Sequence, residues 1–191
     1  MVLSPPELLI AFRAACAPLI FVLACFGFPG PLLAAVLGAA FLSDVFDGVI
    51  ARRLGIATAG IRRADTLVDT FFYVAAGAAL KVAVPAAFDN AELPLVLLMI
   101  VHVSRGTFEL SKYGRLSSYH MWSSKMLGVL LVVALAQAFM TGQPSALLSL
   151  ALWFGVANEI EGFAISTVLP SWRPDVPSIL HARHDAAQRA A

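Results

Sequence analysis

The sequence predicts an all-α integral membrane protein with six transmembrane helices. Hydrophobic residues make up 60% of the chain and charged residues 13%, whereas soluble domains average about 45 to 50% and about 25%. A chain of 191 residues has too little interior to bury that excess away from water, and a mean hydropathy of +0.84 points to lipid as the solvent. The net charge of +1 excludes the basic surface of a nucleic-acid-binding protein, so no nucleic-acid partner is expected.

Proline and glycine residues divide the chain into six apolar segments, each near the roughly 20 residues that a membrane-spanning helix needs. The first segment carries a helix-start signal, because Ser4 can cap the free amides, Pro5 suits the first turn and Glu7 can complete a capping box. The predicted spans are 7–27, 31–53, 64–84, 94–112, 119–140 and 145–168. Together they form a transmembrane domain of residues 1–170, followed by a polar cytoplasmic tail of residues 171–191.

The breaks between spans are marked by turn-forming residues. Residues 27–31, with the sequence GFPGP, predict a tight turn after the first span. Pro85 ends the third span and Pro94 begins the fourth, while residues 141–144 separate the last two. Each boundary therefore has a local physical cause besides the fall in hydropathy.

Lysine and arginine are concentrated on alternate connections. They follow the second span, end the fourth and follow the sixth: Arg52, Arg53, Arg62, Arg63, Arg105, Lys112, Arg115, Arg173, Arg183 and Arg189. The other two connections lack both residue types, apart from Lys81 at the end of the third span. By the positive-inside rule, we expect both termini and both basic loops to be cytoplasmic. An even number of spans agrees with that orientation.

Four aspartates, Asp44, Asp47, Asp65 and Asp69, lie in or at the cytoplasmic ends of the second and third spans, where an unpaired charge is costly. The first two are three residues apart and the last two four apart, so each pair shares one helical face. Because the two spans run in opposite directions, we expect the pairs to face each other in the cytoplasmic half. Oxygen-only ligands favour hard divalent ions such as Mg²⁺ or Mn²⁺, and two such ions would balance four carboxylates.

Small residues follow these aspartates at one-turn spacing. Gly48 lies one turn after Asp44, and Ala51 lies one turn after Asp47, which predicts a groove beside the carboxylates. A mid-helix glycine costs about 1 kcal/mol, and close approach of a ligand to the backbone explains its presence. Arg52 can hold phosphate oxygens at the membrane edge. Metal ions, an arginine and a groove together point to a pyrophosphate ligand.

The pattern resembles the signature of the CDP-alcohol phosphotransferase family, in which D-x-x-D-G-x-x-A-R is followed by a glycine and two further aspartates. The matching residues, all at the family spacing, are Asp44, Asp47, Gly48, Ala51, Arg52, Asp65 and Asp69. At the second glycine this chain has Ile61, with Gly60 directly before it, and Thr70 stands where members often carry lysine. Outside the motif, the resemblance extends to six spans, Arg13 in the first span and Lys125 early in the fifth.

The resemblance implies a catalytic role for the six-helix domain, a homodimer, and a polar cavity that opens to the cytoplasm and holds two divalent cations. It assigns metal binding to Asp44, Asp47, Asp65 and Asp69, and makes Asp69 the general base as well. It assigns the cytidine nucleotide to Asp44, Gly48, Ala51, Arg52 and Gly60. The implied reaction transfers a phosphatidyl group from CDP-diacylglycerol to the hydroxyl of a small polar acceptor and releases CMP. The implied location is the inner (plasma) membrane, multi-pass, with the active site facing the cytoplasm.

The acceptor is not encoded in the motif. Four cations near the cytoplasmic opening, Arg105, Lys112, Arg115 and Lys125, are candidates for binding an acceptor phosphate, as in glycerol 3-phosphate or inositol phosphate. The alternative is that they are ordinary positive-inside charges.

Two other interpretations of the aspartates remain open. An ion or small-molecule transporter also uses intramembrane carboxylates, and the aspartates can simply pair with Arg52, Arg53, Arg62 and Arg63. The remaining buried-span carboxylates, Glu109, Glu159 and Glu161, are expected either to pair with a nearby base or to take part in catalysis.

Overall fold

The computed structural model describes residues 4–54, 59–119 and 121–190, without the side chains at 51, 52, 59, 62, 63 and 186–190. Within these ranges the protein is helical and contains no strand. The helices are α1 (Pro5–Cys25), α2 (Gly30–Leu54), α3 (Ala59–Ala83), α4 (Glu92–Tyr113), α5 (Trp122–Thr141), α6 (Ala146–Val168) and α7 (Ile179–Ala190), with a 3₁₀ turn at Pro85–Phe88. Six of them, α1 to α6, are long and apolar enough to cross a membrane. The predicted all-α fold with six spans is confirmed.

The predicted start signal of α1 is present. The Glu7 carboxylate accepts hydrogen bonds from the Ser4 amide at 2.7 Å and from the Ser4 hydroxyl at 2.8 Å, and Pro5 lies in the first turn. Because α3 begins at Ala59, earlier than the predicted residue 64, Gly60 and Ile61 belong to its first turn. The helix is therefore longer than its candidate membrane span, Ala64–Ala83, which agrees with the predicted span 64–84.

Residues 1–88 and 132–145 form one compact unit, in which α1 packs against both α2 and α3. Its fully buried side chains include Ile20, Leu33, Phe72 and Leu80. Gly30, at the start of α2, lies so close to the Phe139 carbonyl oxygen that any Cβ would collide with backbone. Large apolar side chains cover the outside of these helices, as expected for lipid contact.

Residues 89–131 and 146–191 form a second compact unit, in which α6 packs against α4 and α7. A buried cluster ties the segment after α6 to the rest of this unit: Tyr119, Met121, Ile165, Leu169, Val176 and Ala182. The residues predicted as a polar tail thus include a helix that the sequence did not predict. Its short apolar face explains why hydropathy alone missed it.

Candidate active site

The four aspartates lie on two helices that both pack against α1. Asp44 and Asp47 come from α2, and Asp65 and Asp69 come from α3. Carboxylate oxygens of Asp44, Asp47 and Asp65 all lie within 4.8 Å of one another, whereas Asp69 is not part of this group. The expected proximity of the two pairs is therefore seen for Asp44, Asp47 and Asp65.

The side chain of Arg13 from α1 enters the middle of this cluster. Its Nη1 donates to Asp44 and Asp65, each at 3.0 Å, and also contacts Asp69. Its Nη2 contacts Asp47. One guanidinium therefore joins all four carboxylates, and it does so while the arginine is only 1% exposed.

The carboxylates of the cluster differ in their exposure. The Asp47 side chain is 5% exposed, while those of Asp44 and Asp69 are 38% and 31% exposed. Carboxylates this close to one another repel unless cations neutralise them. The close carboxylates of Asp44, Asp47 and Asp65 supply only oxygen donors, the ligand type that hard divalent ions prefer.

The residues expected to bind nucleotide lie partly within the described region. Gly48 is half-buried on α2, four residues beyond Asp44. Ala51 and Arg52 belong to α2, but their side chains lie outside the described residues, as do those of Arg62 and Arg63. Gly60 lies in the first turn of α3.

Gly60 helps to line a cavity of about 260 Å³ between the first turns of α1 and of α3. The lining is mostly apolar and consists of Glu7, Ile10, Ala11, Gly60, Ile61 and Ala64. Clefts that hold whole drug-sized ligands measure about 300 to 1,000 Å³. This cavity is therefore smaller than a cleft for a whole drug-sized ligand.

Three of the four cations predicted to bind an acceptor have partners within the second unit. Lys112 donates to the backbone oxygens of Ser166 at 2.8 Å and Thr167 at 3.1 Å, near the end of α6. Arg115 lies 4.7 Å above the ring of Trp172. Among the described residues, Lys125 is the one of these four cations whose exposed side chain makes neither a hydrogen bond nor a cation–π contact.

Arg105 forms the centre of a buried ionic network between α4 and α6. Its Nε donates to Glu109 at 2.9 Å and its Nη1 donates to Glu159 at 2.9 Å. Glu109 also accepts hydrogen bonds from the Ser117 amide and the Ser166 hydroxyl, each at 2.7 Å. The expectation that Glu109 and Glu159 pair with a nearby base is confirmed.

Glu161 accepts hydrogen bonds from neutral groups of the described residues. Its carboxylate accepts from the Ser123 hydroxyl at 2.7 Å and from the Ile179 amide, the first of α7, at 3.3 Å. A carboxylate at a helix N-terminus satisfies a free amide and complements the helix dipole. Glu161 therefore fixes the position of α7.

Sequence reasoning missed the role of Arg13 at the centre of the cluster. The signal was available, because a single arginine in the middle of an otherwise apolar span carries the same cost that singled out the aspartates. Pairing it with them required knowing that α1 packs between α2 and α3.

Comparison with protein-family models gives one match, to the model described as CDP-alcohol phosphatidyltransferase, over residues 3–160 of the chain. This range contains Arg13, the four aspartates and the cavity-lining residues. Searches of curated proteins and of solved structures give no significant match.

Proposed function

The chain belongs to the CDP-alcohol phosphatidyltransferase family, and on this premise we propose that it transfers a phosphatidyl group from CDP-diacylglycerol to a small polar alcohol, releasing CMP. The family supports phosphatidyl transfer in phospholipid synthesis. The observation that carries the proposal is the group of Asp44, Asp47 and Asp65, with carboxylate oxygens within 4.8 Å of one another on helices apolar enough to span a membrane.

In this proposal Asp44, Asp47, Asp65 and Asp69 hold two Mg²⁺ or Mn²⁺ ions. The family is divalent-metal dependent, and the carboxylate cluster supports the assignment. Bound there, the cations would neutralise the pyrophosphate of the donor and stabilise the negative charge that develops on the CMP leaving group.

Asp69 accepts the proton of the acceptor hydroxyl. As that proton leaves, the hydroxyl oxygen forms a bond to the phosphorus of the phosphatidyl group, and the bond from this phosphorus to the CMP oxygen breaks. Two observations support Asp69 in this role: it stands outside the mutually close group of three carboxylates, and its side chain is 31% exposed. A carboxylate within hydrogen-bond reach of a positioned hydroxyl is sufficient for such general-base catalysis.

The cavity lined by Gly60 supports a nucleoside site at the first turn of α3. The other residues of the proposed nucleotide set are Asp44, Gly48, Ala51 and Arg52. If the base or ribose enters this cavity, Gly60→Val should weaken CMP binding in Mg²⁺ at least about fivefold, because overpacking costs about 1 to 3 kcal/mol. Ile61→Gly should leave the affinity unchanged or raise it, because it widens the same cavity.

Isothermal titration of CMP measures both effects. Gly38→Val on α2 is the matched control, since nothing lies within 4 Å of a Cβ there, and it should bind CMP normally. Unchanged CMP affinity in Gly60→Val would remove this cavity from the nucleotide site.

The acceptor is proposed to be a small phosphorylated alcohol such as glycerol 3-phosphate or inositol phosphate. Of the four cations in the acceptor assignment, Arg105, Lys112 and Arg115 already have protein partners, so Lys125 is the strongest candidate to contact an acceptor phosphate.

The test of the proposed function is CMP release from CDP-diacylglycerol by purified protein, with Mg²⁺ or Mn²⁺ and a panel of alcohols with and without a phosphate group. The proposal expects CMP release that requires both a divalent cation and one acceptor. Divalent-cation flux into vesicles that depends on Asp44, without cytidine nucleotide binding, would make a transporter the better account.

We propose that the protein is a homodimer in the inner (plasma) membrane, with both termini and the active site on the cytoplasmic side. The candidate spans support a multi-pass membrane protein. In a background without Cys16 and Cys25, Asn90→Cys should react with an impermeant thiol reagent added to intact cells, and Ser171→Cys should react only after lysis. The opposite pattern would invert the orientation.

A further inference from the structure

The Nη1 atom of Arg13 contacts more hydrogen-bond acceptors than it has hydrogens to donate. Its Nη1 carries two hydrogens but lies within bonding distance of three carboxylates, those of Asp44, Asp65 and Asp69. Its Nε is buried and has no hydrogen-bond partner among the described residues. A guanidinium placed as the permanent partner of a single carboxylate would use its paired donors on that carboxylate. In this structure the guanidinium of Arg13 instead contacts four different carboxylates.

The guanidinium of Arg13 lies where a metal cation would bind. The guanidinium contacts Asp44, Asp47 and Asp65, whose oxygens form the group proposed to bind metal. A carboxylate oxygen that accepts a hydrogen bond from the guanidinium has one lone pair fewer to offer a metal ion. A unit positive charge at this distance also repels a dication strongly in a low-dielectric site.

We propose that Arg13 is an internal counter-cation of the metal-free site, which a divalent metal displaces from part of the carboxylate cluster. This inference rests on the proposed function only in taking a divalent cation as the ligand of these aspartates. Without metal, Arg13 stabilises four close carboxylates that would otherwise repel one another. With metal, the guanidinium gives up carboxylate oxygens, and its donors, including the unpartnered Nε, become available to phosphate oxygens of the donor lipid.

Arg13→Gln is expected to bind Mn²⁺ about tenfold more tightly than the wild type, because it removes both the competitor and the repelling charge. Arg13→Lys, which keeps the charge but has fewer donors, should lie between the two. Arg173→Gln is the matched control, since Arg173 pairs with Asp185 elsewhere in the chain, and its Mn²⁺ affinity should equal that of the wild type. Electron paramagnetic resonance of free Mn²⁺ measures all four proteins.

A merely structural role for Arg13 predicts the opposite result. If the guanidinium orients the carboxylates for metal, its loss should weaken Mn²⁺ binding, and unchanged or weakened binding in Arg13→Gln would overturn the proposal. Because this variant can unfold without metal, it is purified in Mg²⁺ before exchange into Mn²⁺.

A second measurement uses the wild-type protein. In ¹⁵N NMR of arginine side chains, the resonance that disappears in Arg13→Lys should shift on titration with Mg²⁺. A resonance that does not move at saturating Mg²⁺ would also overturn the proposal.

Assay of CMP release on the same wild-type preparation separates the two proposals. Metal-dependent CMP release without the Arg13 effects rejects the displacement alone. The Arg13 effects without CMP release support the displacement and reject the proposed transferase function.

Discussion

Asp69→Asn is expected to lower steady-state CMP release by about 10²- to 10⁴-fold, the usual contribution of a general base. The amide keeps one oxygen that can accept a hydrogen bond from Arg13 but cannot take the hydroxyl proton of the acceptor. The affinity for CMP in Mg²⁺ should therefore change much less than turnover. Measuring both quantities on one preparation distinguishes lost chemistry from lost binding.

The other three aspartates provide the comparison. Asp44→Asn, Asp47→Asn and Asp65→Asn each remove charge from the group with close oxygens, so metal binding and CMP binding should weaken together. Asp47, with a side chain only 5% exposed, should show the largest loss. Near-normal turnover in Asp69→Asn would require another base. Glu161 would be a poor substitute, because its oxygens already bond to Ser123 and Ile179.

Much of the fold could be predicted from composition and from the positions of proline and glycine, because lipid permits few spanning structures and the helix is the simplest of them. The capping box at Ser4 and Glu7 was predicted for the same reason that it forms, since the first amides of a helix need partners. Hydropathy could not predict α7, because that helix is polar and is held by contacts such as the Glu161 bond to Ile179.

In the candidate site, spacing alone grouped the carboxylates, since helical geometry places residues three or four apart on one face. It could not place Arg13 among them, because that contact joins α1 to residues 31 to 56 positions away in the chain. The acceptor assignment has the same limit. Arg105 was selected for its charge, whereas its partner Glu159 lies 54 positions away and became visible only in the structure.

Arg105→Met is expected to destabilise the protein by about 3 to 5 kcal/mol, the typical cost of breaking a buried ion pair from one side. The side chains involved are largely buried: Arg105 is 14% exposed, Glu109 2% and Glu159 12%. Removing the guanidinium takes the arginine from both Glu109 and Glu159 and leaves Glu159 its contact with His102 at 3.2 Å. Methionine fills most of the space but neutralises neither carboxylate.

Arg115→Met is the matched control, because Arg115 makes a cation–π contact with the half-buried Trp172, a contact that contributes about 0.5 to 1 kcal/mol at exposed sites. Equilibrium unfolding of both variants in mixed micelles measures the difference. Restoring stability by adding Glu159→Gln to Arg105→Met would identify the unpaired carboxylate as the cause. If Arg105→Met unfolds no more easily than Arg115→Met, the network is not what holds α4 to α6, and Arg105 returns to the residues available to bind an acceptor phosphate.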